Sequence, residues 1–330
     1  MRCVAPGRVN LIGDHTDHTG GLVLPMAIDL ATTVTGRPGG AEVRLWSAAL
    51  GTRAVVPLDI ADPAAVRPGW ARYVAGVVSV LRPERGFTGT VSTTLPLGAG
   101  LSSSAALEVA VALALGFEGT PTELAMACQR AEHEATGVPC GPMDQLVSAA
   151  GVTGHALLVD CGDLTVVPVP LPTDVEVVVV DSGEHRQLVS SAYAERRRQC
   201  EEADRALGGL RRATLADVAT LAHPVVRARA RHVVSENDRV RRFVAALGDG
   251  DLPMCGALMA SSHESLRRDF EVSTARLDDL VARLSATPGV FGARLTGAGF
   301  GGCVVALARP GALAAGRRVR AAAGARVLAD

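Results

Sequence analysis

The stretch Pro96-Leu97-Gly98-Ala99-Gly100-Leu101-Ser102-Ser103-Ser104-Ala105-Ala106 decides how the rest of this sequence is read. It follows the run Thr88 to Leu95, which has a strand pattern, and opens the apolar run Ser103 to Leu115, a helix pattern that stops at Gly116. The first N–H groups of a helix have no partner within it and lie at the positive end of its dipole, so a phosphate is held there. Glycine and alanine let the backbone approach closely, and three hydroxyls add donors and one candidate oxygen ligand for a hard cation. The competing reading is an ordinary glycine turn with a serine N-cap, which a lone G-x-G would favour. Eight small or hydroxyl residues around a single helix start favour the phosphate.

A Walker-type phosphate loop is excluded, because the chain has no lysine and its 33 basic residues are all arginine. The same absence removes Schiff-base chemistry. With 34 acidic residues the formal net charge is -1, which predicts neither a nucleic-acid nor an anionic-membrane partner. The seven cysteines are scattered, form no C-x-x-C pair, and read as reduced cytosolic thiols. The first residues carry no apolar signal region, and the longest apolar run, Ala105 to Leu115, is interrupted by Glu108 and is far short of the roughly 18 residues of a membrane span. A cytoplasmic protein is expected.

At 330 residues the chain exceeds the usual limit of one core, so two domains sharing a cleft are expected. Short strand patterns fill the first hundred residues: Leu22 to Ile28, Glu42 to Ser47, Ala54 to Leu58 and Thr88 to Leu95. Helix patterns follow at Ser103 to Leu115, at Glu123 to Thr136 with Gly137 as its stop, and after Pro142. Strands return at His155 to Val159, Leu164 to Val169 and Val175 to Val180. The turn residues Leu171, Pro172 and Thr173 place a boundary that divides the chain into residues 1–172 and 173–330. The second part reads as helices at Ser191 to Leu207, Leu215 to Leu221, Arg227 to Leu247 and Pro253 to Leu266, then strand, glycine loop and strand from Val290 to Leu307, and an Ala/Arg-rich helix from Gly311. Without a regular βαβ beat or an internal repeat, the class is α+β.

Two further segments carry chemistry. Gly7-Arg8-Val9-Asn10-Leu11-Ile12-Gly13-Asp14-His15-Thr16-Asp17-His18-Thr19-Gly20-Gly21 gathers carboxylates, imidazoles, an amide and an arginine, a set suited to a polyhydroxyl ligand. A polar hairpin loop is the bland alternative and a metal site a weaker one, since the spacing matches no zinc helix. Leu295-Thr296-Gly297-Ala298-Gly299-Phe300-Gly301-Gly302-Cys303-Val304 brings four glycines together, either for a tight turn or for close approach to a ligand.

In this order the three segments resemble the signature motifs of the GHMP kinases, the galacto-, homoserine, mevalonate and phosphomevalonate kinases, and the first resembles the galactokinase subfamily in particular. Trp70-Ala71-Arg72-Tyr73-Val74, Cys128-Gln129-Arg130-Ala131-Glu132-His133, Cys140-Gly141-Pro142-Met143-Asp144-Gln145 and Tyr193 to Glu202 extend the likeness over nearly the whole chain. The resemblance implies a two-domain GHMP kinase fold, an N-terminal domain like domain 2 of ribosomal protein S5 and a ferredoxin-like C-terminal domain, with ATP, Mg²⁺ and a sugar such as galactose meeting between them. It further implies Asp144 as catalytic base and Arg8 as stabiliser of the transferring phosphoryl group, roles consistent with phosphoryl-transfer chemistry. Ser104 and Glu132 match magnesium ligands. Gly98, Ala99, Gly100, Leu101, Ser102, Ser103 and Ser104 match the phosphate loop, and Trp70 and Tyr73 match the adenine side. Asp14, His15, Asp17, Gly141 and Tyr193 match sugar contacts.

Taken without the resemblance, Asp144 reads as a first-turn carboxylate after Pro142, Glu132 as a solvated helix charge, and Trp70 and Tyr73 as core. Asp14, His18 and Thr19 depart from the galactokinase pattern, which has Glu, Tyr and Asn there. The resemblance implies that the first carboxylate of this motif lies towards the sugar's C6 hydroxyl, and Asp14 is one methylene shorter than Glu, so a galactose kinase with relaxed discrimination at C6 is expected. Other sugar-1-kinases of the family, acting on arabinose, galacturonate or N-acetylgalactosamine, and a non-catalytic galactose and ATP sensor, are the alternatives. The intact Ser104-Ala105-Ala106 argues against the sensor. A monomer or weak oligomer is expected.

Overall fold

The computed structural model describes residues 1–184 and 189–328. The strands are β1 (Arg2–Asn10), β2 (Leu22–Val23), β3 (Pro25–Pro38), β4 (Glu42–Ser47), β5 (Thr52–Pro57), β6 (Phe87–Thr93), β7 (His155–Asp160), β8 (Thr165–Pro170), β9 (Glu176–Asp181), β10 (Val290–Thr296), β11 (Cys303–Ala308), β12 (Arg317–Val319) and β13 (Arg326–Leu328). The helices are α1 (Ala71–Leu81), α2 (Ser103–Ala114), α3 (Pro121–Thr136), α4 (Met143–Ala150), α5 (Val189–Leu207), α6 (Leu215–Ala219), α7 (Pro224–Gly248), α8 (Leu252–Arg268) and α9 (Ala275–Ser285).

Three sheets organise them. A mixed sheet runs β13-β1-β3-β6-β4-β5, a small one runs β2-β7-β8, and an antiparallel one runs β10-β11-β9-β12. Helices α1 to α4 supply an apolar layer for the first sheet, through residues such as Val74, Val78, Val109 and Leu146 packed with Val34, Leu45 and Phe87. Another core lies beneath the third sheet, where Leu266, Phe270, Leu277 and Leu280 meet Leu295 and Val304. Between these two, Val9, Ile12 and Met26 from residues 1–172 pack on Phe243, Met259 and Val305 from residues 173–330. An apolar seam of that kind holds the two halves in one arrangement and fixes the cleft above it.

Local chemistry explains the element that bears the phosphate loop. Along β1 every residue from Cys3 to Asn10 is buried, and its ladder with β3 shifts register between Pro6 and Arg8. Such a bulge re-aims the side chain that follows it. At Gly7 a β-carbon would lie 2.5 Å from the Leu101 carbonyl oxygen, so only glycine lets β1 and the phosphate loop touch. The contact is closed by Arg8 N–H donating to Leu101 O at 3.2 Å. The next helix, α3, starts on a Thr120/Glu123 capping box with Pro121 inside it and stops on Gly137 at φ 68°. The box extends the helix two residues ahead of the expected Glu123, and such a cap contributes about 1 kcal/mol.

Three elements escape the sequence expectations. Pro6 and Gly7 disguise β1, and β-branched valines with Gly76 disguise α1, which is helical because Gly76 lets it lie against the Ala131 carbonyl of α3. Helix α9 does carry its signal, a Thr274 N-cap followed by Leu277, Leu280, Val281 and Leu284 at helical spacing. The helix expected from Gly311 is corrected: that segment forms the short strands β12 and β13. Its alanines and arginines make no continuous apolar stripe, and it lies instead as added strands on β9 and β1, with Gly324 close against the Ala149 carbonyl. The last strand therefore crosses the 172/173 boundary and joins the first sheet.

Candidate active site

A cleft of about 610 Å³ opens between the halves, lined on one side by residues of β3, β6, α1, α2 and the phosphate loop and on the other by Tyr193, Gly297 and Ala298. Its apolar end holds Trp70 and Tyr73 together with Leu50, Val91, Leu97 and Leu107. Trp70 is fixed there by its indole N–H, which donates to Thr52 Oγ1 at 2.9 Å. A flat ring held by one polar tip suits a stacked base.

At the centre, Gly98 and Gly100 take φ of 76° and 81°, and Ser102 takes 58° at the start of α2. A left-handed serine is strained by about 1–2 kcal/mol. The conformation puts its hydroxyl on Asp144 Oδ2 and leaves the helix start without a side-chain cap. Gly98, Gly100, Ser102, Ser103 and Ser104 all line the cleft, whereas the Ala99 and Leu101 side chains pack into the core between the halves. Those two face the cleft with backbone at most.

Arg8 and Asp144 meet as a two-pronged pair, Nε to Oδ1 and Nη2 to Oδ2, both at 2.8 Å. The remaining guanidinium nitrogen, Nη1, donates to Gly100 O at 2.6 Å. One arginine thus ties the phosphate loop to the first turn of α4, a geometry that a lysine could not reproduce. Ser104 hydrogen-bonds the Glu132 carboxylate, which also receives Gln145 Nε2 at 2.6 Å and Cys140 Sγ at 3.5 Å. Burial and then the nearby Asp144 charge push the Glu132 carboxyl up. A cation beside it would relieve both.

The residues that match sugar contacts by resemblance gather at the other end. Asp17 sits in a short 3-10 turn, and Gly141 is so close that a β-carbon there would lie 2.1 Å from Asp17 Oδ2. Burial, then the Asp144 charge, raise the Asp17 carboxyl to about 6, although the His18 backbone N–H opposes them. His15 stacks on Phe270 at 4.5 Å and near Tyr193 at 5.9 Å, with Nε2 buried and lacking a partner among the described residues. Burial holds His15 neutral, so one nitrogen can accept and the other donate. His18 meets Tyr193 edge-on at 6.1 Å and is held neutral by burial and Arg197, its pKa lowered to about 3. Thr19 donates its hydroxyl to Thr16 O at 2.9 Å, closing the turn.

Asp14 also lines the cleft. Its carboxylate is buried, Oδ1 accepting the Gly297 N–H at 2.9 Å and Oδ2 lying 2.6 Å from Arg294 Nη2 of β10. His232 Nε2 lies 3.0 Å from Asp14 O, Gly13 N–H donates to Glu236 Oε1 at 2.9 Å, and Leu22 N–H donates to Asn237 Oδ1 at 2.8 Å. Residues of α7 and β10 therefore clamp residues 13–22 from the other half. Sequence reasoning missed this clamp, although an arginine inside the apolar strand around Leu295 was a visible sign of a buried charge seeking a partner.

The fold and the cleft define a GHMP kinase: residues 72–152 match the N-terminal domain of GHMP kinases and residues 243–325 the C-terminal domain. A mevalonate kinase structure shares the fold with a TM-score of 0.67 at 20% identity, covering 94% of this chain and 92% of that one. Residues 2–38 match the galactokinase galactose-binding signature, and the chain belongs to the galactokinase family. It is 46% identical to galactokinases of Chloroflexus aurantiacus and Homo sapiens, over 92% of this chain and 82% of each relative. The crystal structure of Lactococcus lactis galactokinase complexed with galactose superposes with a TM-score of 0.92 at 30% identity, covering 99% of this chain and 95% of that one.

Proposed function

We propose that the cleft joins ATP to galactose and transfers the γ-phosphoryl group to the anomeric hydroxyl, giving galactose 1-phosphate and ADP. The observation that carries this reading is the Arg8–Asp144 pair, placed where the phosphate loop meets the sugar end. The anomeric oxygen bonds to phosphorus as the bond from phosphorus to the β,γ-bridging oxygen breaks, and the hydroxyl proton passes to Asp144. Arg8, released in part from Asp144, offsets charge on the transferring oxygens, and the N–H groups at the start of α2 hold the phosphates. Ser104 and Glu132 are the residues that would hold Mg²⁺; their hard oxygens already converge. Phosphate oxygens and water would complete the coordination of such an ion. Bound there, the ion neutralises phosphate charge.

Residues 1–172 supply most of the cleft lining and residues 173–330 close its other end. We place the reaction in the cytoplasm, in keeping with free thiols at Cys3, Cys128, Cys140, Cys161, Cys200 and Cys255. No helix among the described residues is long and apolar enough to cross a membrane.

A coupled ADP-release assay over galactose, glucose, arabinose, 6-deoxygalactose, galacturonate and N-acetylgalactosamine tests the substrate. Galactose is expected to give the highest kcat/KM and glucose to be rejected. Because the Asp14 carboxylate is engaged by Gly297 and Arg294, loss of the C6 hydroxyl costs less than inversion at C4. No turnover of galactose would overturn the assignment of substrate.

The Asp17 carboxyl sets an acid limb. Its pKa is raised to about 6, so it keeps its proton to higher pH than an ordinary aspartate and loses its anionic acceptor as pH falls through 6. In kcat/KM, which reports the free enzyme, a fall below pH 6 is expected, absent in Asp17→Asn. Stability moves the other way for this group: between the unfolded value and 6 the native state binds the proton more tightly, so acidification stabilises it. A rate falling in step with unfolding would refute the titration.

A further inference from the structure

The mechanism makes no use of a polar node buried behind the phosphate loop. Gln145, directly after Asp144 in α4, is fully buried, and its one amide nitrogen donates twice, to Glu132 Oε2 at 2.6 Å and to Glu108 Oε2 at 3.2 Å. Glu108 is also fully buried and lies one helical turn beyond Ser104 on α2. Positions four apart share a helix face, so Ser104 and Glu108 look towards the same side. Each reaches α3 through a different route, Ser104 by its own hydrogen bond to Glu132 and Glu108 through Gln145. The other oxygens, Glu108 Oε1 and Gln145 Oε1, are buried without partners among the described residues.

Packing alone does not account for this arrangement. A carboxylic side chain buried in an otherwise Ala/Val/Leu helix is costly to keep there, and leucine would fill the same space. What Glu108 does achieve is to hold the Gln145 amide in one orientation. That amide in turn occupies Oε2 of Glu132 and fixes its rotamer, which a free glutamate side chain would not keep. Because the same residue follows Asp144, rotation of α4 would move the base and the Glu132 carboxylate together.

We propose that Gln145, anchored by Glu108, is a positioning residue that orients the Glu132 carboxylate for a divalent cation and couples it to the base at Asp144. The proposal rests on the reading of Ser104 and Glu132 as the cation's protein ligands. Partners that orient a metal ligand characteristically change metal affinity or activity by about 10- to 100-fold when removed.

Mn²⁺ is the probe, its binding to the enzyme with a non-hydrolysable ATP analogue followed by electron paramagnetic resonance, and galactose affinity is measured separately by calorimetry without metal. Gln145→Leu and Glu108→Leu are expected to weaken Mn²⁺ by about 10- to 100-fold while changing metal-free galactose affinity less than about twofold. Glu108→Gln returns an acceptor to the Gln145 amide and is expected to recover most of the loss. Should the leucine variants fail to fold, Gln145→Asn, shorter by one methylene and still polar, cannot span both carboxylates and is expected to weaken Mn²⁺ as well. Unchanged Mn²⁺ affinity in folded Gln145→Leu or Gln145→Asn would overturn the proposal, as would an equal loss of galactose affinity, which marks a general packing role. Glu132→Ala separates the two readings: if it too leaves Mn²⁺ affinity unchanged, the underlying ligand assignment fails, whereas loss there and none in the Gln145 variants condemns the positioning role alone.

Discussion

Asp144→Asn is expected to lower kcat by about 10²- to 10⁴-fold while leaving the fold and ATP affinity nearly as they are, the range typical of losing a positioned general base. The substitution keeps the size of the side chain and one acceptor oxygen, so it isolates the charge. In the structure that charge faces a guanidinium fork donating to both oxygens and the Ser102 hydroxyl donating to one of them. An amide accepts only one prong of the fork and sets its own N–H groups against the other. Arg8 is itself buried and its third nitrogen is bound to Gly100, so the fork has little freedom to rearrange. Part of the loss therefore comes through Arg8, which stays in place with one prong unpaired and faces the amide N–H groups instead of a carboxylate oxygen. If the transition state is loose, little proton transfer occurs early, and the effect falls at the lower end of the range. Steady-state kcat, KM for ATP and a melting curve on the same preparation decide it. Turnover within a few fold of wild type would remove Asp144 from the mechanism.

How much of this could be read beforehand differs between local and distant features. The phosphate loop, α2 and the body of α3 were legible because their signals are contiguous: small residues at a helix start, a helical pattern, a stop glycine. Residues Arg8, Asp14, His15, Asp17, Trp70, Tyr73, Ser102, Ser104, Gly141, Asp144 and Tyr193 do line one cleft. What the sequence could not display was which partners meet across 286 residues, such as Thr296 Oγ1 donating to Asn10 O, or that Asp14 is the partner of Arg294 and residues 13–22 those of α7. Those pairings depend on how the halves dock, and no short-range pattern encodes docking. Glu132 shows the limit from the other side: as a lone helix charge it reads as solvated, yet the turn of α4 brings Gln145 over it and leaves it half-buried.

Asp14→Leu is expected to destabilise the protein by about 3–5 kcal/mol, the usual cost of removing one partner from a buried ion pair. Arg294 has no exposed surface, and the Asp14 carboxylate lies 2.6 Å from its Nη2. Its field is felt widely: it helps depress the His15, His232 and His263 imidazoles, though burial is the larger cause for each. Glu236 also senses it, but that carboxylate is already paired with Arg239 at 2.6 Å. Without Asp14, then, a guanidinium remains in a low-dielectric interior, where among the described residues only the Leu11 carbonyl, at 3.3 Å, accepts from it. The Gly297 N–H loses its acceptor at the same time, which adds to the loss. Galactose binding should weaken with it, because the loop bearing His15 and Asp17 hangs on this point. Asp14→Glu keeps the charge but must fit an extra methylene between Gly297 and Arg294, so it is expected to cost about 1–3 kcal/mol through overpacking. The double variant Asp14→Leu/Arg294→Met removes both charges and is expected to regain most of what the single change lost, since apolar replacement of a whole buried pair is often neutral or stabilising. Urea unfolding of the wild type, of Asp14→Leu, of Arg294→Met and of the double variant forms a double-mutant cycle that reads the coupling directly. A coupling below about 0.5 kcal/mol would mean that the two residues merely lie side by side, and that the sugar loop is held by its α7 contacts instead.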